Sequence, residues 1–234
     1  LVDEYDKPLL NTMTKPELNE KIKAVLKGFY GVLKSTDQYL RFTLFTGVTK
    51  FSKVSVFSDL NNLTNISLIN RFSSICGITE RELLTQFEPE IKALGEAQNL
   101  TYDQTIAELK KMYDGYHFSE KSEDIYNPWS LLNSFYSGRF VYEWFASGTP
   151  TMLVNMLKNT DLDLPNLEKD VIITQKQLDD YDISSPAPIP LLYQTGYLTI
   201  KEYFPGFTEY RLGFPNEEVK YGFNQLRITN DELR

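Results

Sequence analysis

The chain is poor in the residues from which many enzymes build their sites. Its 234 residues include one cysteine, Cys76, and one histidine, His117. A single thiol cannot close an internal disulfide, so the simplest setting is reducing and cytoplasmic. With no metal-binding partner near it in sequence, Cys76 is expected to be a buried small hydrophobe. A His-based zinc site or a Ser-His-Asp triad would have only His117 to use. No GxSxG, HExxH or CxxC motif lies near it, so it reads as a structural or surface residue beside the Gly115 turn. No apolar run approaches the roughly 18 residues of a membrane span, and no signal-peptide pattern opens the chain. Basic residues number 24 against 32 acidic, a net charge of −8. This argues against a broad nucleic-acid-binding face and leaves room only for a local patch. No GxxxxGK[ST] loop occurs anywhere. The glycines near Gly28 and Gly31, and near Gly206 and Gly213, lack the Lys-Ser/Thr that follows a phosphate cradle of consecutive backbone N–H groups.

What is present is ordinary globular composition, 41% hydrophobic and 24% charged, with no internal repeat and no low-complexity tract. The informative stretch is Leu1-Val2-Asp3-Glu4-Tyr5-Asp6-Lys7-Pro8. Two apolar residues run into two acids, as when an apolar strand ends at a nucleotide-hydrolysis site. There the first acid, Asp3, holds Mg²⁺ through water, and the second, Glu4, orients or deprotonates the attacking water. Alone this pair is a weak signal, because solvated acids at strand ends are common.

The next residues strengthen it. Thr14 and Glu17 have capping-box spacing, and Leu18, Ile22, Val25, Leu26, Phe29 and Leu33 follow at helical spacing. This predicts a helix over about 15–33 with an apolar stripe packed on a sheet. Tyr39–Phe45 then reads as a buried strand. Strand, helix, strand implies parallel neighbours joined by a right-handed crossover. Their carboxyl ends share the sheet edge where ligands bind in open α/β folds. Asp3, Glu4 and Thr46 become neighbours there, and a hydroxyl at Thr46 can sense a terminal phosphate.

Phe51–Ile69 reads as a long loop with a short strand at Ile66–Leu68. From Ile78 the chain turns helical. Thr79 caps one helix, which Pro89 kinks or splits. Thr101 and Gln104 cap a second, ended at Gly115. Asn127-Pro128 opens a third, stopped near Gly138, and Thr149-Pro150 opens a fourth. The aromatics here, Trp129 and Phe145 among them, read as core. An acidic connector spans 161–187, with one strand-like run at Val171–Thr174. A short helix ending at Thr195-Gly196, a hairpin turning at Pro205-Gly206 and a final helix give a winged-helix-like layout. The polar tail Asn224–Arg234 is expected to fray. The expected fold class is α/β, a partial P-loop NTPase parallel sheet over 1–77. A helical lid-like subdomain over 78–160, the connector and a winged-helix-like α+β module over 188–234 follow.

Several segments together resemble the bacterial AAA-ATPase-like family, predicted P-loop ATPases often joined to a PD-(D/E)xK nuclease-like domain. They are Leu1–Pro8, Phe45–Ser55 and Leu60–Leu63, then Tyr113–Phe118 with Tyr126–Pro128. Phe145–Pro150, Leu192–Leu198 and Tyr210–Val219 complete the set. The resemblance implies ATP and Mg²⁺ as cofactors of the complete protein. Asp3 would carry the Mg²⁺-linked Walker B role, Glu4 water activation and Thr46 the sensor role. Thr49 is the second choice as sensor, and Lys50 is a further cofactor-binding candidate. Asp6 and Lys7 lie in matching motifs without an assigned role. The expected partners are an upstream P-loop region and a downstream nuclease-like domain of the same protein. The chain then reads as an internal portion, inactive alone and holding no nucleotide tightly. Copies are expected to pair through the Tyr39–Phe45 edge into a homo-oligomer, with no membrane partner. The competing reading is a non-catalytic winged-helix-type module that binds protein or nucleic acid through exposed residues around Lys201, Tyr203 and Arg211.

Overall fold

The computed structural model describes residues 1–12, 15–47, 63–144, 167, 171–179 and 188–231, backbone only from 226 onward. In chain order the elements begin with α1 (Lys7–Leu10) and α2 (Pro16–Ser35). Two 3₁₀ turns follow, at Asp37–Tyr39 and Asn70–Phe72. Next come β1 (Ile78–Thr79), α3 (Glu80–Gln86), α4 (Glu88–Gln98), α5 (Tyr102–Tyr113), β2 (Ile125–Tyr126) and α6 (Pro128–Ser137). The last are β3 (Val171–Thr174), α7 (Gln175–Asp179), α8 (Pro188–Gln194), β4 (Thr199–Phe204), β5 (Glu209–Gly213) and α9 (Glu217–Asp231). The chain divides into two units. The first draws its described residues from Leu1–Asn65 and Gln175–Thr195, the second from Ile66–Pro150, Asp163–Thr174 and Gly196–Arg234.

In the first unit α2 forms where the apolar spacing predicts. Its N-cap is Lys15, which makes no side-chain cap, and Thr14 lies outside the described residues. The polar start is held another way: Asn19 Nδ2 donates to the Leu9 carbonyl at 2.8 Å and to Thr12 Oγ1 at 2.9 Å. The Tyr39–Phe45 strand does not form. Among the described residues only Val2 offers it a backbone partner, through one parallel bridge to Phe45. Without a longer ladder Tyr39 and Phe42 stay 79% and 76% exposed. The stripe of α2 is only partly covered: Tyr30 is buried, but Val25, Phe29 and Val32 are exposed. At the start of the second unit Ile66–Leu68 is likewise no strand but part of a turn closed by Ile69 N–H on the Ile66 carbonyl, leading into the 3₁₀ turn at Asn70.

The second unit is built as its caps dictate. Thr79 accepts the Glu82 N–H while Glu82 accepts the Thr79 N–H, a closed capping box at α3. Thr101 and Gln104 repeat it at α5. Pro89 lies in the first turn of α4, so the helical run splits at Phe87. Asn127 caps α6 through the N–H groups of Trp129 and Ser130, and Gly138 ends it at φ +66°. Leu83, Ile91, Leu94, Leu109, Met112, Tyr113, Tyr126 and Leu131 form a continuous buried cluster. The Tyr113 phenol sits inside this cluster. It donates to the Val141 carbonyl at 2.8 Å and accepts from Val141 N–H at 2.7 Å and Ser134 Oγ at 2.6 Å. Burial pushes its pKa up to about 12.

Some expectations for this unit fail. Cys76 is exposed, so it is not a core residue. Trp129 is 56% exposed, because it sits in the first turn of α6 on the face opposite the buried Ser130, Leu131 and Ser134. Val171–Thr174 is more than a connector. It pairs antiparallel with β5, giving a three-stranded sheet in the order β3-β5-β4. The final helix runs unbroken to Asp231 instead of fraying from Asn224.

Two of the recognised motifs meet in this unit. Gly115 adopts φ +96°, and a Cβ there would stand 2.2 Å from the Pro215 carbonyl oxygen. Asn216 Nδ2 donates to the Asp114 carbonyl at 2.9 Å, while its Oδ1 accepts the Val219 N–H at the start of α9. The Asp114-Gly115 and Pro215-Asn216 pairs are thus a structural joint that seats α9 against α5.

Candidate active site

The parallel bridge organises the first unit's polar edge. Val2 N–H donates to the Leu44 carbonyl and Thr46 N–H to the Val2 carbonyl, each at 2.9 Å. Tyr5 N–H then donates to the Thr46 carbonyl at 3.0 Å. This register lays Asp3 beside Thr46, 43 positions apart in sequence, and the Thr46 hydroxyl donates to Asp3 Oδ1. The same oxygen accepts the Glu4 N–H at 3.0 Å. Two donors on one oxygen fix the Asp3 carboxylate in place.

Glu4 adopts φ +51°, a left-handed backbone that costs a non-glycine residue about 1–2 kcal/mol. The conformation turns the chain sharply after the bridge, and Lys7 N–H closes the turn on the Glu4 carbonyl at 3.0 Å. The side chains of that turn pair too, Lys7 Nζ lying 2.5 Å from Glu4 Oε2. This hydrogen bond, then the Glu4 charge, raises the Lys7 pKa, and the Asp3 charge adds a smaller push.

Behind the acids the packing is tight. Asp6 is fully buried. A Cβ on Gly47 would stand 2.6 Å from Tyr5 Cε1 and 2.8 Å from Asp6 Oδ1, so a larger residue after Thr46 would have to displace those side chains. Tyr5 and Tyr30 set their rings edge-on to Phe45, at 6.4 and 5.3 Å between centroids. Burial raises the Tyr30 phenol above its ordinary range, and the Asp6 carboxylate adds to that. The aromatic wedge and Asp6 therefore hold the Thr46–Gly47 turn against the Asp3–Tyr5 turn.

Of the five expected site residues, the structure brings Asp3, Glu4 and Thr46 together. Thr49 and Lys50 lie outside the described residues. Sequence reading left Lys7, Asp6 and Gly47 without roles. The opposite charges of Glu4 and Lys7 at i, i+3 were a signal for the first. Nothing local pointed to the burial of Asp6. Among the described residues no three His, Cys, Asp or Glu side chains converge on a metal position. Asp3 is the carboxylate of this edge that could hold a hard cation through water. The described residues of the edge contain no phosphate cradle.

Elsewhere the candidates are tied up. His117 Nδ1 lies 2.9 Å from Asp124 Oδ1, and the Thr199 hydroxyl bridges the His117 N–H and carbonyl at 2.8 and 3.0 Å. Arg211 pairs with Glu202 at 3.1 Å and Lys201 Nζ donates to the Pro215 carbonyl at 3.3 Å. No described helix is long and apolar enough to cross a membrane.

Residues 1–57 match the AAA-ATPase-like family, described as predicted AAA-ATPase. The matched span takes in Asp3, Glu4, Lys7 and Thr46. The chain is also 39% identical over 230 residues to a protein of Azotobacter chroococcum mcd 1, described as an uncharacterized protein in the vnfD 5' region. That match covers 97% of this chain and 42% of the relative, so the chain spans less than half the relative's length. No solved structure matches the chain.

Proposed function

We propose that residues 1–47 form the metal- and water-handling edge of an ATP-hydrolysing, AAA-like ATPase. Its phosphate loop comes from a part of the polypeptide outside these 234 residues. The observation that carries this reading is the Asp3–Thr46 hydrogen bond across the parallel Val2–Phe45 bridge. It joins an acid at the end of one extended segment to a hydroxyl at the end of its parallel neighbour, inside the stretch that matches the ATPase family. Bound Mg²⁺ supplies charge neutralisation at the phosphate oxygens. Asp3 holds its place through two donors and takes the metal through water. Glu4, one residue on, accepts a proton from the attacking water. Thr46 donates to a phosphate oxygen or to that water.

The exposed apolar residues of α2 and of the 39–42 segment suit a surface that further chain covers, and the relative has more chain than is matched here. The helices of the second unit then act as a lid, and its three-stranded sheet with α9 as a winged-helix-like module. A winged module working alone through basic residues has less support, because Arg211 and Lys201 are engaged within the unit.

The test is ATP·Mg²⁺ binding and turnover by the full-length natural polypeptide that contains this chain. Glu4→Gln should keep binding and abolish turnover. Absence of any nucleotide binding by that polypeptide would refute the reading.

A further inference from the structure

Lys7 has no part in the mechanism above, yet it is the side chain that holds Glu4. We propose that Lys7 is a substrate-facing cation, parked on Glu4 until the terminal phosphate of a nucleoside triphosphate takes it over. The proposal rests on the ATPase reading of Asp3, Glu4 and Thr46 and adds to it a cation that distinguishes triphosphate from diphosphate.

The geometry is specific. The Lys7 ammonium lies 2.5 Å from Glu4 Oε2, and the two side chains are 61% and 49% exposed. The pair is solvent-exposed, and the backbone closes on itself beneath it. Glu4 is held left-handed at φ +51°, and Lys7 N–H bonds the Glu4 carbonyl at 3.0 Å. The turn therefore ties the Lys7 backbone to that of Glu4 and leaves the flexible side-chain stem to move. Asp3 does not compete in the same way, since its Oδ1 already accepts from Thr46 and from the Glu4 N–H.

The chemistry follows from that arrangement. While Lys7 sits on Glu4 Oε2, its ammonium is engaged by a carboxylate and not by substrate. A terminal phosphate carries more charge than a carboxylate and offers three oxygens, and lysine binds phosphate as a mobile point charge. Solvent-exposed ion pairs are weak, so the exchange meets little resistance. When Lys7 moves to the phosphate, its contact with Glu4 Oε2 is given up.

ATP and ADP separate this idea from a structural role, because only ATP carries the terminal phosphate. Equilibrium binding of each nucleotide with Mg²⁺ is measured on the full-length natural polypeptide. Lys7→Met is expected to weaken ATP binding about tenfold and to change ADP binding less than about twofold. Glu4→Gln, which releases Lys7, is expected to tighten ATP but not ADP, and the gain should vanish in the Lys7→Met background. Lys7→Arg should restore most of the ATP preference. Normal ADP binding by Lys7→Met doubles as its folding control, and Lys7→Gln replaces it if that variant does not fold. Equal losses for ATP and ADP, or a Glu4→Gln gain that survives without Lys7, overturn the proposal while the ATPase reading stands. A wild-type polypeptide that binds neither nucleotide brings down both.

Discussion

The two units bury their apolar residues in opposite ways. In the second, the stripes of α3, α4, α5 and α6 close on one another, and eight large side chains form one continuous core. In the first, a helix of 20 residues contributes one buried aromatic, Tyr30, while Val25 and Phe29 remain 70% and 63% exposed. Sequence pattern does not explain the difference, since α2 is as amphipathic as its counterparts. The difference lies in what each helix has to pack against. A closed helical core supplies its own partners, whereas among the described residues α2 lies beside a single parallel bridge. The second unit thus holds itself together. On the proposed reading, the first carries the chemistry and has its apolar face covered by further chain.

Breaking the closed core should give the largest effects. Leu109 is fully buried, and Leu109→Ala should destabilise the second unit by about 2–5 kcal/mol. Denaturant unfolding followed by Tyr and Trp fluorescence measures it, and a loss below 1 kcal/mol would show a core looser than described. Gly115→Ala combines a left-handed φ of +96° with a Cβ 2.2 Å from the Pro215 carbonyl. The backbone strain alone is worth about 1–3 kcal/mol, and the clash must also push α9 away from α5. Tyr113→Phe removes one oxygen but strands Val141 N–H, the Val141 carbonyl and Ser134, which should cost about 1–3 kcal/mol.

This contrast also explains what the sequence disclosed. The second unit was legible because its signals are local. Thr79 with Glu82, Thr101 with Gln104, Asn127-Pro128 and Gly138 each fix a helix end through neighbours three or four residues away. The proximity of Asp3 and Thr46 was legible too, because strand, helix, strand has few parallel solutions. The strand at Tyr39–Phe45 was misread, because a β-rich run becomes a strand only when another backbone meets it along its length. Cys76 was misread because residue type alone does not decide burial. The burial of Asp6 and the close fit at Gly47 arise from a packing of Tyr5, Tyr30 and Phe45 that spans forty residues. The Asp114-Gly115 joint needed Pro215, a hundred positions on, to explain it.

Acidity offers a smaller and signed test. Burial raises the carboxyls of Asp114 and Glu218 above their ordinary 3.8 and 4.5. An acid with a raised folded-state pKa binds more protons folded than unfolded. Its contribution is therefore complete below the unfolded pKa and is lost as pH rises through the folded value. Glu82 has the opposite sign. The Thr79 N–H and hydroxyl hold it below its usual range, so its contribution is present at neutral pH and lost on acidification through the lowered value. Glu218→Gln keeps an acceptor for the Trp144 N–H and removes the titration. Its stability should fall less than that of the wild type as pH rises from the ordinary carboxylate value of 4.5 through the raised folded one. Parallel pH curves for the two proteins would show that Glu218 ionises as freely folded as unfolded.

The smallest effect belongs to the uncovered helix, and there a null result is informative. Phe29→Ser removes a large aromatic from a helix, a change that costs about 3 kcal/mol or more in a core. On a face where the ring is 63% exposed, its effect on the 234-residue chain should stay near 0.5 kcal/mol. Urea unfolding of the first unit, followed by hydrogen exchange at α2 amides, reads it directly. The informative step is to repeat the substitution in the full-length natural polypeptide. If the α2 face lies against the remainder of an ATPase core, the same change should cost about 2 kcal/mol or more and weaken ATP·Mg²⁺ binding with it. Equal, negligible costs in both settings would mean that the exposed stripe is a true surface. The likeness between the two units' helices would then end at their sequence pattern.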